Sequence, residues 1–182
     1  MSEFEKSVGS LCGTALAGIK PSCMAVCDLD KEERGELYLE MLREQFKEIG
    51  IRFEVLKVCE SKLVYLVFRE KVLKKHLLEP VNRTFLDEYG YDAQSLEDCL
   101  VRLRQRMSQE DFPHEVGVFL GYPPEDVNGF IRDPNGCLFS GLWKVYAEPE
   151  KKRELFARYK KCTACILKRM SMGLSLRQIF LS

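Results

Sequence analysis

The chain has 182 residues, with 28 basic and 28 acidic side chains and a formal charge of zero. That balance argues against a general nucleic-acid coat or a polybasic membrane binder, both of which need a strong positive excess. A hydrophobic content of 46% is that of a globular protein, and the length fits a single domain over residues 1–182.

Residues 1–10 read as a short helix or a frayed end. The stretch Leu11 to Cys27 is rich in small residues, and Pro21 disfavours a helical Lys20, so a break is expected there. Asp28 or Asp30 caps a helix from about Lys31 to Ile49. Leu37, Leu39, Leu42, Phe46 and Ile49 recur at helical spacing in it, and Gly50 closes it. Ile51 to Cys59 alternates as a strand. Leu63 to Phe68 is apolar on both faces and reads as a central, covered strand, joined to the first by a hairpin at Glu60-Ser61-Lys62.

Two helices follow, near residues 71–78 and 81–89, with Gly90 as terminator. Ser95 caps a further helix through Met107, whose stripe is Leu96, Cys99, Leu100, Leu103 and Met107. Glu115 to Leu120 reads as a third strand. Pro123-Pro124-Glu125-Asp126 opens a short helix, and residues 133–136 make a turn. Gly141 to Ala147 reads as a fourth strand. A long helix runs from Pro149 to about Met172, is closed by Gly173, and is followed by a short helix from Ser175 to Phe180. The expected class is α+β: a single domain with about four strands in a mixed or antiparallel sheet and helices packed on it. The strand order stays open.

No run approaches the roughly 18 apolar residues of a membrane span. Glu3 and Glu5 precede Lys6, unlike the positive start of a signal peptide, and Cys12 follows no lipobox. A cytoplasmic protein with reduced thiols is expected.

Chemistry has few places to sit. His114 opens the expected third strand after a proline, where a histidine can act as a general base or simply bond a strand end. Glu115 is its neighbour, but successive strand residues face opposite ways, so the two do not form a dyad there. Cys12 lies among glycines that could bring backbone amides near a bound group, or it is a buried inert thiol. A cysteine early in the chain and a histidine later is an order that papain-like thiol enzymes use, without their local signature. Cys162 and Cys165, with Cys23 and Cys27, invite comparison with a metal site. The first pair falls inside a helix with no glycine knuckle, so no metal is assigned. Cys59 and Cys99 read as core residues. Glycines 117, 121 and 129 make no phosphate cradle, because Glu125 and Asp126 would repel an anion.

Charge is unevenly spread. Residues 150–182 carry nine basic and two acidic side chains, while 108–135 carry six acids and one arginine. The long last helix therefore has a basic outer face, with Lys152, Arg158, Lys161, Lys168 and Arg169 as the expected partner face. It is either merely solvated or meets an acidic partner. Aromatic interleaving is too thin for a nucleic-acid platform. Trp143, the sole tryptophan, is a sheet-packing residue or a pocket wall, and Tyr122 and His114 could converge on it.

The run Phe-Pro-His-Glu-Val-Gly-Val-Phe-Leu-Gly-Tyr-Pro-Pro-Glu-Asp-Val-Asn-Gly-Phe-Ile (112–131) is distinctive. With Gly141 to Tyr146, Leu16 to Lys20 and Phe156 to Cys162, it resembles the bacterial family grouped as domain of unknown function 3793, found largely in anaerobes. The resemblance spans nearly the whole chain and brings no established activity or cofactor. Its pattern includes positions matching Cys12, Lys20, His114, Glu115, Gly121, Tyr122, Pro123, Asp126, Gly129, Trp143, Lys144, Tyr146 and Cys162. It has a proline where this chain has Gly13. Of these, Lys20, Glu115, Tyr122, Asp126, Trp143, Lys144 and Tyr146 are taken as the binding set.

Members tend to be encoded near flavodoxins and ferrous-iron transport genes. The resemblance therefore implies an accessory protein that binds an acidic redox partner such as a flavodoxin in the iron or redox metabolism of anaerobic bacteria. The alternative is a thiol enzyme acting on a small molecule or peptide, with Cys12 as nucleophile and His114 as base.

Overall fold

Capping and strand pairing set most element boundaries in the computed structural model, which describes residues 2–31 and 34–181. Ser2 accepts a hydrogen bond from the Glu5 amide at 3.1 Å and starts helix α1, Glu3–Leu16. This helix runs further than the expected short N-terminal piece. Gly9 and Gly13 therefore lie within a helix rather than in an open, glycine-rich loop. A Cβ on Gly13 would fall 2.8 Å from Ile166 Cδ1, so that glycine serves close packing and not backbone access to a ligand.

The chain breaks at Gly18 (φ +73°), before Pro21, and enters strand β1, Ser22–Asp28. No strand is expected here from the sequence. Helix α2, Gly35–Phe46, tightens into a 3-10 turn and ends at Gly50 with φ +69°. The expected first turn of this helix included Glu32 and Glu33, which lie outside the described residues.

Strands β2, Ile51–Cys59, and β3, Lys62–Arg69, form the expected hairpin. β1 pairs antiparallel with the other side of β3, giving the order β1-β3-β2. β3 is thus central, and Tyr65, Leu66, Val67 and Phe68 are all buried, as a strand covered on both faces requires. Helices α3, Glu70–Leu77, and α4, Pro80–Asp87, follow, with Gly90 in the left-handed region. Helix α5, Leu96–Met107, starts where Ser95 accepts from the Asp98 amide at 3.2 Å.

Two expected strands are corrected. Glu115 to Leu120 is not a strand: Val116–Phe119 is a helical turn, α6, in which the Leu120 amide bonds the Val116 carbonyl at 3.1 Å. Every residue of the turn is buried, so the run has no polar face whose period could separate strand from helix. Gly121, at φ +77°, ends it. Helix α7, Pro124–Arg132, comes next, with Pro at its first position.

The expected strand at 141–147 shrinks to β5, Lys144–Val145. It pairs with β4, Phe139–Ser140, in a two-stranded sheet of its own. Helices α8, Pro149–Ser171, and α9, Leu176–Phe180, close the order, α9 with a full capping box at Ser175 and Gln178. The fold is α+β, with a three-stranded antiparallel sheet and a two-stranded one.

The chain gathers into two compact units, residues 1–73 with 161–182, and residues 74–160. In the first, Phe4, Val8, Cys12 and Leu16 recur at i, i+4 along α1. They join Cys23, Ala25, Cys27, Phe53, Leu63, Tyr65 and Val67 of the sheet, with Ile166, Met170, Leu176 and Ile179 completing the core. In the second, one apolar cluster is built from Trp143, Val145, Phe156 and Tyr159, with Tyr122, Phe139 and Leu155 against it. Of the two cysteines read as core, Cys99 is buried and Cys59 is exposed. Cys59 ends β2 at the hairpin turn, and its neighbour Val58 is exposed as well.

Candidate functional site

The residues of the 112–131 run and of the 141–147 segment fold around one carboxylate in the second unit. Pro124 fixes the first turn of α7, and this turns Asp126 inward. Its side chain is 1% exposed. One carboxylate oxygen accepts the Trp143 indole N–H at 2.8 Å. The other accepts the Tyr146 amide at 2.7 Å and the Ala147 amide at 3.1 Å. A buried carboxylate with three donors is satisfied, and it pins the hairpin end to the helix start.

Around it, Tyr122 stacks on Trp143 at 4.6 Å between ring centroids, and Phe156 meets the indole edge-on at 4.4 Å. Gly129 lies under Tyr146, where a Cβ would come within 2.3 Å of the ring. Gly117 lies likewise against Val127 and Tyr122. The density of glycine and aromatics in this run is thus used for close ring packing. Tyr122, Asp126, Trp143 and Tyr146 of the binding set are brought together here.

His114 does not join the Tyr122–Trp143 stack. It is exposed in the turn before α6, not at the mouth of a strand, and its ring packs edge-on against Phe112 at 5.5 Å and Phe130 at 5.2 Å. Lys144 caps the same Phe130, its Nζ 5.5 Å from the ring centroid, and donates to the Pro134 carbonyl at 2.5 Å. The outcome is a short outer row of His114, Phe130 and Lys144.

Glu115 turns away from His114 because the helical turn, not strand alternation, orients it. It is 1% exposed and accepts from Arg106 Nε at 2.7 Å and the Tyr91 hydroxyl at 3.2 Å. Burial, and then the Glu115 charge, push the Tyr91 phenol well above its ordinary range, while Glu115 raises Arg106. This is an ion pair between a buried carboxylate and a half-buried guanidinium, with a phenol as third member.

His76 is a further titratable group, beyond the candidates expected from the sequence. It is half-buried, with Nε2 2.9 Å from the Val118 carbonyl, so that nitrogen carries the proton. Asn82 Nδ2 donates to the His76 carbonyl at 2.9 Å and lies near the ring. Burial lowers the His76 pKa below 6.5, partly offset by the Val118 bond and by Glu79. The sequence signal was available: His76 continues the inner stripe of α3, four residues after Val72 and three after Leu73.

In the first unit, Cys12 is wholly buried, and burial, reinforced by Cys23, pushes its thiol well above the ordinary range. Half-buried Lys20 opposes this only as a smaller effect. Thr14 Oγ1 lies 3.3 Å from Cys23 Sγ. Cys162 is half-buried against this core, and Cys165, three residues on, is exposed. All eight cysteines are free. Among the described residues no group of three or more His, Cys, Asp or Glu is arranged to hold a metal ion, and no helix is long and apolar enough to cross a membrane.

The expected partner face needs one correction. Lys152 is 5% exposed, with Nζ 3.3 Å from Glu125 and 3.9 Å from Glu148. It belongs to the inner stripe of α8 with Phe156, Tyr159, Ile166 and Met170, all buried, as their i+4, i+7 spacing dictates. Lys151 and Arg153 are exposed but paired with Glu148 and Glu150, and Arg153 also lies over Phe139. Beyond them the helix changes character. Arg158, Lys160, Lys161 and Lys168 are exposed and have no carboxylate partner among the described residues. Arg169 is half-buried beside them.

These features define a mixed α+β protein with a carboxylate-centred aromatic cluster and a helix that is basic along its second half. The chain belongs to a protein family of unknown function, DUF3793, whose model matches residues 9–180. No match is found among the curated proteins or among the solved structures.

Proposed function

We propose that the chain is a cytoplasmic accessory protein that docks an acidic protein partner through the outer face of α8. The partner is an acidic flavoprotein of the flavodoxin type, in the iron or redox metabolism of anaerobic bacteria. The observation that carries this reading is the contrast along one helix. The cations at its start are matched by Glu125, Glu148 and Glu150, whereas Arg158, Lys160, Lys161 and Lys168 have no carboxylate partner among the described residues. Lys161 and Lys168 are two turns apart on one side, with exposed Cys165 between them. Unpaired cations in a row steer an oppositely charged partner and set its orientation. Free thiols throughout the chain fit a reducing compartment.

The test is retention of the protein on immobilised flavodoxin. Binding is expected at low salt and lost at high salt, because exposed charges are screened. The double variant Lys161→Glu, Lys168→Glu is expected to lose binding while remaining folded. Absent retention, or retention indifferent to salt and to both substitutions, overturns the reading. The thiol-enzyme alternative has no comparable support. A cysteine that attacks a substrate needs access to it, and Cys12 is wholly buried, with burial raising its pKa.

A further inference from the structure

The outer face of α8 carries a feature that charge alone does not use. Cys165 is exposed, and Cys162 is half-buried three residues before it on the same continuous helix. Side chains at i and i+3 of a helix are surface neighbours, with Cβ atoms about 5–6 Å apart. Lys161 stands one residue before the pair, and Lys168 and Arg169 stand one turn after it. Burial raises the Cys162 pKa, with smaller contributions from the adjacent Cys165 and Cys23 thiols. The inner cysteine is thus shielded while the outer one meets solvent.

We propose that Cys165 and Cys162 form a reversible dithiol–disulfide couple that reshapes the basic face of α8. The oxidant is a small-molecule disulfide. The Cys165 thiolate attacks one sulfur of the disulfide, forms a mixed disulfide, and releases one small thiol that carries away a proton. Cys162 then attacks the Cys165 sulfur, closes the intrachain disulfide, and releases the second small thiol with the second proton. Two electrons and two protons leave the protein and reduce one small disulfide to two thiols. Cys165 is the point of entry because it is exposed, and Cys162 resolves because it is the neighbouring thiol.

The closure has a geometric consequence. A disulfide needs its Cβ atoms about 3.5–4.5 Å apart, closer than an α-helical i, i+3 pair. A 3-10 turn, in which i and i+3 eclipse, brings them together. Replacing one α turn by a 3-10 turn winds three residues through about 360° instead of about 300°. Lys168 and Arg169 then swing by about 60° relative to Lys161. The same rotation works against Ile166, which is seated on Gly13, so the change is confined to a strained, reducible state. The chemistry of the couple stands by itself, while its effect on binding rests on the docking reading.

The experiment treats the pre-reduced full chain with bis(2-hydroxyethyl) disulfide, blocks remaining thiols by alkylation, and digests with trypsin. Cleavage after Lys161 and Lys168 releases residues 162–168 with both cysteines. The expected product is this peptide, unalkylated and two hydrogens lighter. In Cys162→Ala the reaction is expected to stop at a hydroxyethyl mixed disulfide on Cys165. Exposed Cys59 is the internal control for reagent access. A mixed disulfide that persists on Cys165 in the unsubstituted chain overturns the proposal. So does a link between Cys23 and Cys162, or an unreacted pair when Cys59 has reacted. Retention on immobilised flavodoxin is expected to fall several-fold on oxidation and to recover with dithiothreitol. Retention unchanged by oxidation sinks the coupling. Loss of retention in both forms, with the disulfide mapped, sinks the docking reading and leaves the couple intact.

Discussion

In the unit formed by residues 1–73 and 161–182, the buried polar side chains among the described residues are Thr14 and Ser22, both neutral. In the unit formed by residues 74–160 they are Asn82, Glu115, Asp126 and Lys152, three of them ionisable. The first unit satisfies its backbone through a sheet and fills the remainder with apolar side chains and thiols. The second has only a two-residue strand pair. It orders its short helices and loops by aiming loop amides, an indole and a guanidinium at buried carboxylates. An apolar core tolerates changes of shape when volume is kept. A buried charge tolerates no loss of its partners. The two regions are therefore expected to fail under different perturbations.

The sharpest break is Asp126→Ala. Three donors lose their acceptor, two of them backbone amides, and a cost of about 3–5 kcal/mol is expected. Chemical denaturation measures it. Trp143, the sole tryptophan, reports locally, because its indole loses its bond and its emission moves to the red. Next comes Ile166→Ala in the first unit, with an expected loss of about 2–4 kcal/mol from a deleted core side chain. Its native Trp143 emission is expected to stay unchanged. A shift there as large as that of Asp126→Ala would erase the contrast between the regions.

The third test is pH. His76 holds a lowered pKa in the folded chain, whereas the unfolded chain protonates near 6.5. The unfolded state then binds more protons below that value, so stability falls as pH drops through about 6.5. Each unit of lowering is worth about 1.4 kcal/mol. Thermal unfolding from pH 7.5 to 5.5 measures the slope, and His76→Gln is expected to flatten it. A slope that survives this substitution assigns the effect to other groups. The smallest expected change is in Lys161→Glu with Lys168→Glu, whose stability should stay within about 0.5 kcal/mol of the parent, because exposed charges away from core features contribute little. A larger loss would mean these lysines hold the fold.

Much of the fold was legible where a local signal had a local cause. Ser95 caps as read, Gly50 and Gly90 terminate, and the apolar run at 63–68 is the central strand. Strand β1 was not legible, because Cys23, Ala25 and Cys27 are small and lack the branched or aromatic character that marks strands. Their inward alternation, 3%, 4% and 4% exposed, appears only once β3 lies alongside. The run at 115–120 misleads for the opposite reason: its valines and phenylalanine fit a strand, and burial on every side leaves no polar face to reveal the helical turn.

The candidate site shows the same limit. Asp126 sits where any helix accepts an acid, and nothing in the sequence near it announces that Trp143, Tyr146 and Ala147 donate to it from some twenty residues on. Lys152 was legible in principle, since it is four residues before Phe156 and seven before Tyr159. Charge summed over a segment does not separate the inner from the outer face of a helix.

The Glu5 carboxylate accepts the Leu176 amide at 2.7 Å, and Phe4 and Ile179 share a core. During synthesis on a ribosome, this unit lacks part of its interior until residues 161–181 have emerged. Residues 74–160 are contiguous and have their partners much sooner. Vectorial translation thus favours assembly of the middle of the chain before its flanks. The glycine-bearing side of α1, on which Ile166, Met170 and Leu176 pack, waits uncovered until then, and a nascent-chain chaperone would find its target there.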